Sequence, residues 1–199
     1  MATKRGVFCL EGDWWGDLKR PTTVEPMLNL LRSVETFRVP YIHRNVATMS
    51  EFEHYIGRWA LNQHADYPVL YLAFHGSEGA LQLGAKKGNG ERIEFDWFEE
   101  RLAGRCEGRI IYFGSCLTLN IHGNRLNSFL DRTGAMAVCG YREEVFWMRS
   151  TAFDLLFLAE LQHINRWSRN GIGGVDRRLR QMCHGLYDEL QFRIAVRKN

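Results

Sequence analysis

Short apolar runs with no polar interruption constrain this chain more than any other feature. Val69-Leu70-Tyr71-Leu72-Ala73-Phe74 is six apolar residues in a row, and Ile110-Ile111-Tyr112-Phe113 and Ala135-Met136-Ala137-Val138-Cys139-Gly140 repeat the pattern. A strand with one wet face alternates apolar and polar residues; an unbroken run of this length fits a strand covered on both faces. Such strands need helices above and below them. The intervening segments supply these at helical spacing, so the chain is expected to form an α/β three-layer sandwich around a mainly parallel central sheet of about five strands.

The order of elements follows from local signals. Val7 to Leu10, closed by Glu11-Gly12-Asp13, is expected to be the first strand. Thr22 or Thr23 can cap a helix carrying Val24, Met27, Leu28, Leu31 and Val34 on one stripe, with Pro26 tolerated in its first turn. Arg38 to Asn45 is a second strand. Thr48-Met49-Ser50-Glu51 is a capping box ahead of Phe52, Tyr55, Ile56, Trp59 and Ala60. Residues 80–83 and 92–95 look like a small exposed hairpin, and Asp96 with Glu99 opens a short helix that Gly104 can end. Asn124 to Asp131, Val145 to Ile164, and a last stretch marked by Val175, Leu179, Met182, Leu186 and Leu190 are expected helices. No repeat or linker interrupts the 199 residues, so one domain over residues 1–199 is expected.

Composition narrows the class of partner. The formal net charge is only +3, from 26 basic and 23 acidic residues, so neither nucleic acid nor a membrane surface is expected as a partner. Five cysteines without a C-x-x-C pair suit neither a disulfide framework nor a zinc knuckle. A reducing, cytoplasmic setting is expected, since no signal-peptide core or spanning-length apolar stretch is present. The histidines show no spacing with Cys, Asp or Glu that suggests a metal site, and no metal or other cofactor is expected.

The chemistry is expected beyond the carboxyl ends of the strands, where loops of an open parallel sheet converge. His75 follows one buried run directly, Cys116 follows another within three residues, and Glu11 and Asp13 follow the first strand. If the His and Cys strands are neighbours, their axes lie roughly 4.8 Å apart and both side chains reach the same rim. A thiol beside an imidazole can be deprotonated for attack on a carbonyl, and the same imidazole can protonate the leaving amine. Gly76 lets a substrate approach and, with the N–H of Cys116, could hold an oxyanion. Cys9, Cys106, Cys139 and Cys183 read as structural. His122 is a rival base, and Trp14-Trp15 is either a substrate contact or a loop anchor.

These residues resemble the cysteine peptidases of the caspase-like fold (clan CD), in particular the small bacterial CHAT-like branch. The apolar strand before His75-Gly76, the apolar strand before Gly114-Ser115-Cys116, the helix order around them, and Tyr141 to Trp147 carry the likeness over roughly Val7 to Leu161. The resemblance implies adjacent strands ending at His75 and Cys116, with Cys116 as nucleophile, His75 as general base and acid, and Gly76 as oxyanion donor. It also implies endopeptidase activity on a partner protein, in a bacterial setting of antiviral defence or programmed death. The chain lacks the Q-A-C-x-G sequence of caspases proper, so cleavage after Asp does not follow.

Selectivity is argued from charge. Glu11 and Asp13 beside the His strand favour Arg or Lys before the cut, whereas Arg142 beyond the next strand favours an acidic residue; the balance leans to a basic residue. With no sensing domain in the sequence, regulation by a separate protein partner is expected. The competing reading is a catalytically silent caspase-like or flavodoxin-like interaction module using the same rim.

Overall fold

A computed structural model describes residues 5–17, 19–20, 22–84 and 90–198. The apolar runs form the strands that their patterns predict: β1 (Val7–Glu11), β3 (Val69–Ala73), β7 (Ile110–Phe113) and β8 (Ala137–Tyr141), every residue of them buried. With β2 (Tyr41–Asn45) and β9 (Phe192–Val196) they make a six-stranded sheet in the order β2-β1-β3-β7-β8-β9. All neighbours are parallel except β8 and β9.

Alternate residues of the central strands feed two separate cores, which is why their sequences run apolar with little interruption. Val7, Cys9, Val69, Tyr71, Ile110, Tyr112 and Cys139 meet α1 (Glu25–Ser33), α5 (Trp147–Gln162), α6 (Arg169–Met182) and α7 (His184–Glu189). Phe8, Leu10, Leu70, Leu72, Ile111, Phe113 and Val138 meet α2 (Met49–Trp59), α3 (Phe95–Leu102) and α4 (Gly123–Thr133). The result is a mixed α/β sandwich with a mainly parallel sheet between helices. Helix α2 starts at the expected capping box, Thr48 accepting from the Glu51 N–H and the Glu51 carboxylate accepting from the Thr48 N–H.

Several local expectations are corrected. The sixth strand, β9, follows a reversal at Gln191, whose φ is +43°; its Arg193 interrupts the apolar pattern, and only Phe192 is fully buried. The last helix divides at Cys183 into α6 and α7. The cap of α1 is Val24, while the Thr23 hydroxyl turns to Glu11 and to the Glu25 N–H. The small hairpin stands outside the central sheet as expected but is exposed only in part: β5 (Ala80–Leu83) pairs with β6 (Glu91–Glu94) and with β4 (His75–Ser77), Glu91, Arg92 and Glu94 are exposed, and Leu81, Leu83 and Ile93 join the core that α3 and α4 share. The Lys-rich tip of that hairpin, residues 85–89, lies outside the described residues.

Candidate active site

Parallel pairing brings the two candidate reacting groups to one rim. Strands β3 and β7 are neighbours with Leu72 opposite Phe113, so His75 and Cys116 each lie three residues past a paired position. Strand β1 flanks β3 on the other side, Glu11 opposite Ala73. Both side chains are partly exposed.

The imidazole is held by the loop after β1. His75 Nε2 lies 2.8 Å from the carbonyl oxygen of Trp14. A carbonyl only accepts, so Nε2 carries the proton and, in the neutral ring, Nδ1 carries the lone pair. The Trp14 indole packs edge-on against the same ring, centroids 5.4 Å apart at 77°.

The sulfur is held from the opposite side. Val145 N–H donates to Cys116 Sγ at 3.4 Å, and the thiol faces the Val145 carbonyl at 3.8 Å. The loop around Cys116 is tied to the segment after β8 by Leu117 N–H to Glu143 O (3.1 Å) and Leu119 N–H to Tyr141 O (2.9 Å). Leu117 adopts φ +59°, a left-handed conformation costly for a branched side chain and found where surrounding structure over-determines the backbone. Among the described residues the backbone N–H of Cys116 has no hydrogen-bond partner, and no hydrogen bond joins Sγ to the imidazole. Each group is anchored to backbone instead, and catalytic contacts often close only around substrate.

Gly76 sits between them for a steric reason. A Cβ there would lie 2.4 Å from the Cys116 carbonyl oxygen and 2.9 Å from Ser115 Cβ, distances no side chain adopts, so glycine is what lets β4 lie on the cysteine loop. Strands β4 and β5 are joined by a two-residue turn closed by Ser77 and Ala80. Alternation of an antiparallel ladder then makes Gly76 and Leu81 a non-hydrogen-bonded pair, leaving the Gly76 N–H unused by β5. Thr118 braces the same corner, its hydroxyl 2.7 Å from Ser115 Oγ and 3.2 Å from the Cys116 carbonyl.

The three residues chosen for selectivity part company. Glu11 is 1% exposed, and its carboxylate accepts four hydrogen bonds: from Trp14 Nε1 (2.7 Å) and Val24 N–H (2.8 Å) on one oxygen, from Thr23 Oγ1 (2.6 Å) and His43 Nε2 (2.7 Å) on the other. It presents nothing to a substrate, because a buried carboxylate is stable only when its lone pairs are filled. Asp13 is exposed; one oxygen accepts the N–H groups of Trp15 and Gly16, both at 3.0 Å. Arg142 is exposed at the end of β8, near enough to Arg193 to help burial lower the latter's pKa. The rival base His122 stands exposed at the N-cap of α4.

Sequence reasoning missed the support under the cysteine loop. Asp154 of α5 is 2% exposed and accepts from Tyr71 (2.5 Å), Tyr112 and Tyr141, one tyrosine from each of β3, β7 and β8. Burial raises its pKa to about 6 against the pull of the three hydroxyls. A Cβ on Gly114, two residues before Cys116, would lie 2.4 Å from the Tyr71 ring, so this cluster is the floor of the loop. The signal was a carboxylate, Asp154, flanked on both sides by apolar residues in the run from Val145 to Ile164. Among the described residues, no group of three or more His, Cys, Asp or Glu side chains is arranged to hold a metal ion, and no helix is long and apolar enough to cross a membrane.

Comparison with solved structures shows a caspase-like fold. A secreted C11 cysteine protease from Bacteroides thetaiotaomicron, solved with an irreversible peptide inhibitor, superposes with a TM-score of 0.54 over 86% of this chain at 15% identity. This chain spans 57% of that protease's length. Caspase-1 from Spodoptera frugiperda superposes with a TM-score of 0.51 over 82% of this chain and 72% of its own, at 14% identity. No curated protein matches the sequence. A family model described as "Family of unknown function (DUF6642)" matches residues 4–195.

Proposed function

The chain therefore belongs to that family of unknown function, and we propose that it is a cysteine endopeptidase acting through Cys116 and His75. The observation that carries this reading is their placement at equal offsets past adjacent parallel strands, with the His75 Nε2 proton already committed to the Trp14 carbonyl. That commitment leaves Nδ1 as the basic atom.

In the proposed reaction, Cys116 gives its proton to His75 Nδ1 and the thiolate attacks the scissile carbonyl carbon, forming the C–S bond. The N–H groups of Cys116 and Gly76 receive the oxyanion, a contribution of about 3 kcal/mol per donor in well-studied hydrolases. The C–N bond breaks as His75 returns the proton to the leaving amine. Water, deprotonated by His75, then hydrolyses the thioester and restores the thiol. The exposed Phe146 and Met148, 74% and 70% accessible beside Val145, offer apolar contacts to an extended protein substrate.

Selectivity for a basic residue before the cut now rests on Asp13, since Glu11 is turned inward. A charged contact of this kind is worth about 1.5–3 kcal/mol, so Asp13→Asn is expected to lower kcat/KM on Arg or Lys peptides by about tenfold or more. The opposite preference is favoured by one observation, the exposed Arg142 guanidinium; cleavage after Asp or Glu, lost in Arg142→Ala, would establish it. By resemblance to CHAT-like peptidases, the proposed role is cleavage of one partner protein in bacterial defence or programmed death, under control of a regulatory protein.

The deciding experiment is a positional peptide-library profile with Cys116→Ala and His75→Ala as controls. Both variants are expected to fold and to lose cleavage, and a thiol-directed peptide inhibitor is expected to label Cys116 selectively. Full activity in either variant refutes the dyad. No cleavage and no selective labelling in the native chain would leave the silent interaction module.

A further inference from the structure

Glu11 makes no contact with the cleft, yet it is built into the apparatus that holds His75. It closes β1 with its carboxylate fully enclosed, and one of its four donors is the indole N–H of Trp14. Trp14 touches His75 twice, by its carbonyl on Nε2 and by a T-shaped contact between the two rings. The other described residues of the loop after β1, 12–17 and 19–20, are largely exposed and braced by short local bonds, the Asp13 cap and Trp15 Nε1 to Thr22 Oγ1 at 2.5 Å. Neither brace reaches Trp14 itself. The remaining carboxylate partners tie the anchor to two further elements: Val24 N–H and Thr23 at the start of α1, and His43 on β2, whose Nδ1 lies 3.6 Å from Glu25.

We infer that Glu11 is a positioning residue that fixes the Trp14 carbonyl, and through it the orientation and tautomer of His75. A carbonyl on a mobile loop could not select one imidazole tautomer, because the two neutral forms differ little in energy unless one N–H has a fixed acceptor. The enclosed carboxylate provides that fixity, holding the indole with a charge-assisted bond at 2.7 Å. Residues 11, 14 and 75 thus form one chain of contacts from the end of β1 to the rim of β3. The consequence for turnover rests on the peptidase reading of His75; the consequence for the tautomer does not.

The test separates the two. Nitrogen-15 spectra of the imidazole groups in the full chain report the His75 tautomer directly, with His75→Ala assigning the signals. The native chain is expected to show a single Nε2–H form, and Trp14→Phe and Glu11→Gln a mixture of both. Trp14→Phe keeps an aromatic ring against His75 and leaves the other three donors on Glu11, so it decides the matter if Glu11→Gln does not fold. A pure Nε2–H signal retained in Trp14→Phe overturns the inference whatever the activity. Where the native chain cleaves peptides, both variants are expected to lose about tenfold to a hundredfold in kcat with KM within about twofold, the pattern of a misplaced proton-transfer group rather than of weakened binding. A mixed tautomer in a chain that cleaves nothing would uphold the anchoring and defeat only the peptidase reading.

Discussion

Glu11 and Gly76 show how differently a single side chain can serve one rim. Glu11 looked like a pocket carboxylate because of its place at the end of β1; burial to 1% and four donors make it an internal anchor instead. Gly76 has the opposite character, valuable for what it lacks. Gly76→Ala would force a methyl to within 2.4 Å of the Cys116 carbonyl oxygen, and backbone cannot yield there without moving either β4 or the cysteine loop. The expected outcome is a folded protein in which inhibitor labelling of Cys116 slows by about a hundredfold, the cost typical of a displacement near 1 Å at a reacting centre. Unchanged labelling kinetics would mean that the loop has more freedom than its packing implies.

At the scale of elements, α5 is the helix with the most to explain. It packs against the sheet and against α1, α6 and α7, which accounts for apolar residues on most of its faces, yet it carries Asp154 into the middle of that layer. The carboxyl is held up at about 6, so between the ordinary aspartate range and that value the folded chain binds a proton that the unfolded chain has released. Stability contributed by this group is therefore present at acid pH and lost as pH rises from about 4 to 6, by about 3 kcal/mol in all. Asp154→Asn keeps an acceptor for Tyr112 and Tyr141 and does not titrate. Urea unfolding of both proteins is expected to show the native chain losing stability relative to the variant across that interval and running parallel to it above pH 7; a constant difference throughout would place the titration elsewhere.

For the molecule as a whole, the sheet separates two apolar cores that share no side chain among the described residues. Leu72 of β3 is fully buried in the core under α2, α3 and α4, one layer away from Tyr71 and its contact with Asp154. Leu72→Ala is expected to cost about 2–5 kcal/mol in chemical unfolding. Tyr71 donates to Asp154 on the far face, so the pH dependence assigned to Asp154 should survive that loss unaltered. If it changes, the two cores are coupled through the sheet more tightly than their packing shows.

The strands and the paired helix layers were legible because they rest on patterns intrinsic to the sequence: unbroken apolar runs at Val69 to Phe74 and Ile110 to Phe113, and the capping box at Thr48. Strand β9 was not, since Arg193 breaks its apolar pattern and only pairing with β8 makes the segment extended. The candidate dyad could be named in advance because both residues follow strand ends, where topology alone sends side chains to one edge. Local pattern was therefore enough to say which residues end up near the rim. Which way each one faces was decided by tertiary structure: Glu11 turned in, His75 pinned by a carbonyl sixty-one residues away in sequence, and Asp154 brought beneath three strands. Hydrophobic periodicity is a local property, whereas a hydrogen-bond partner is whatever polar group the folded chain brings within about 3 Å.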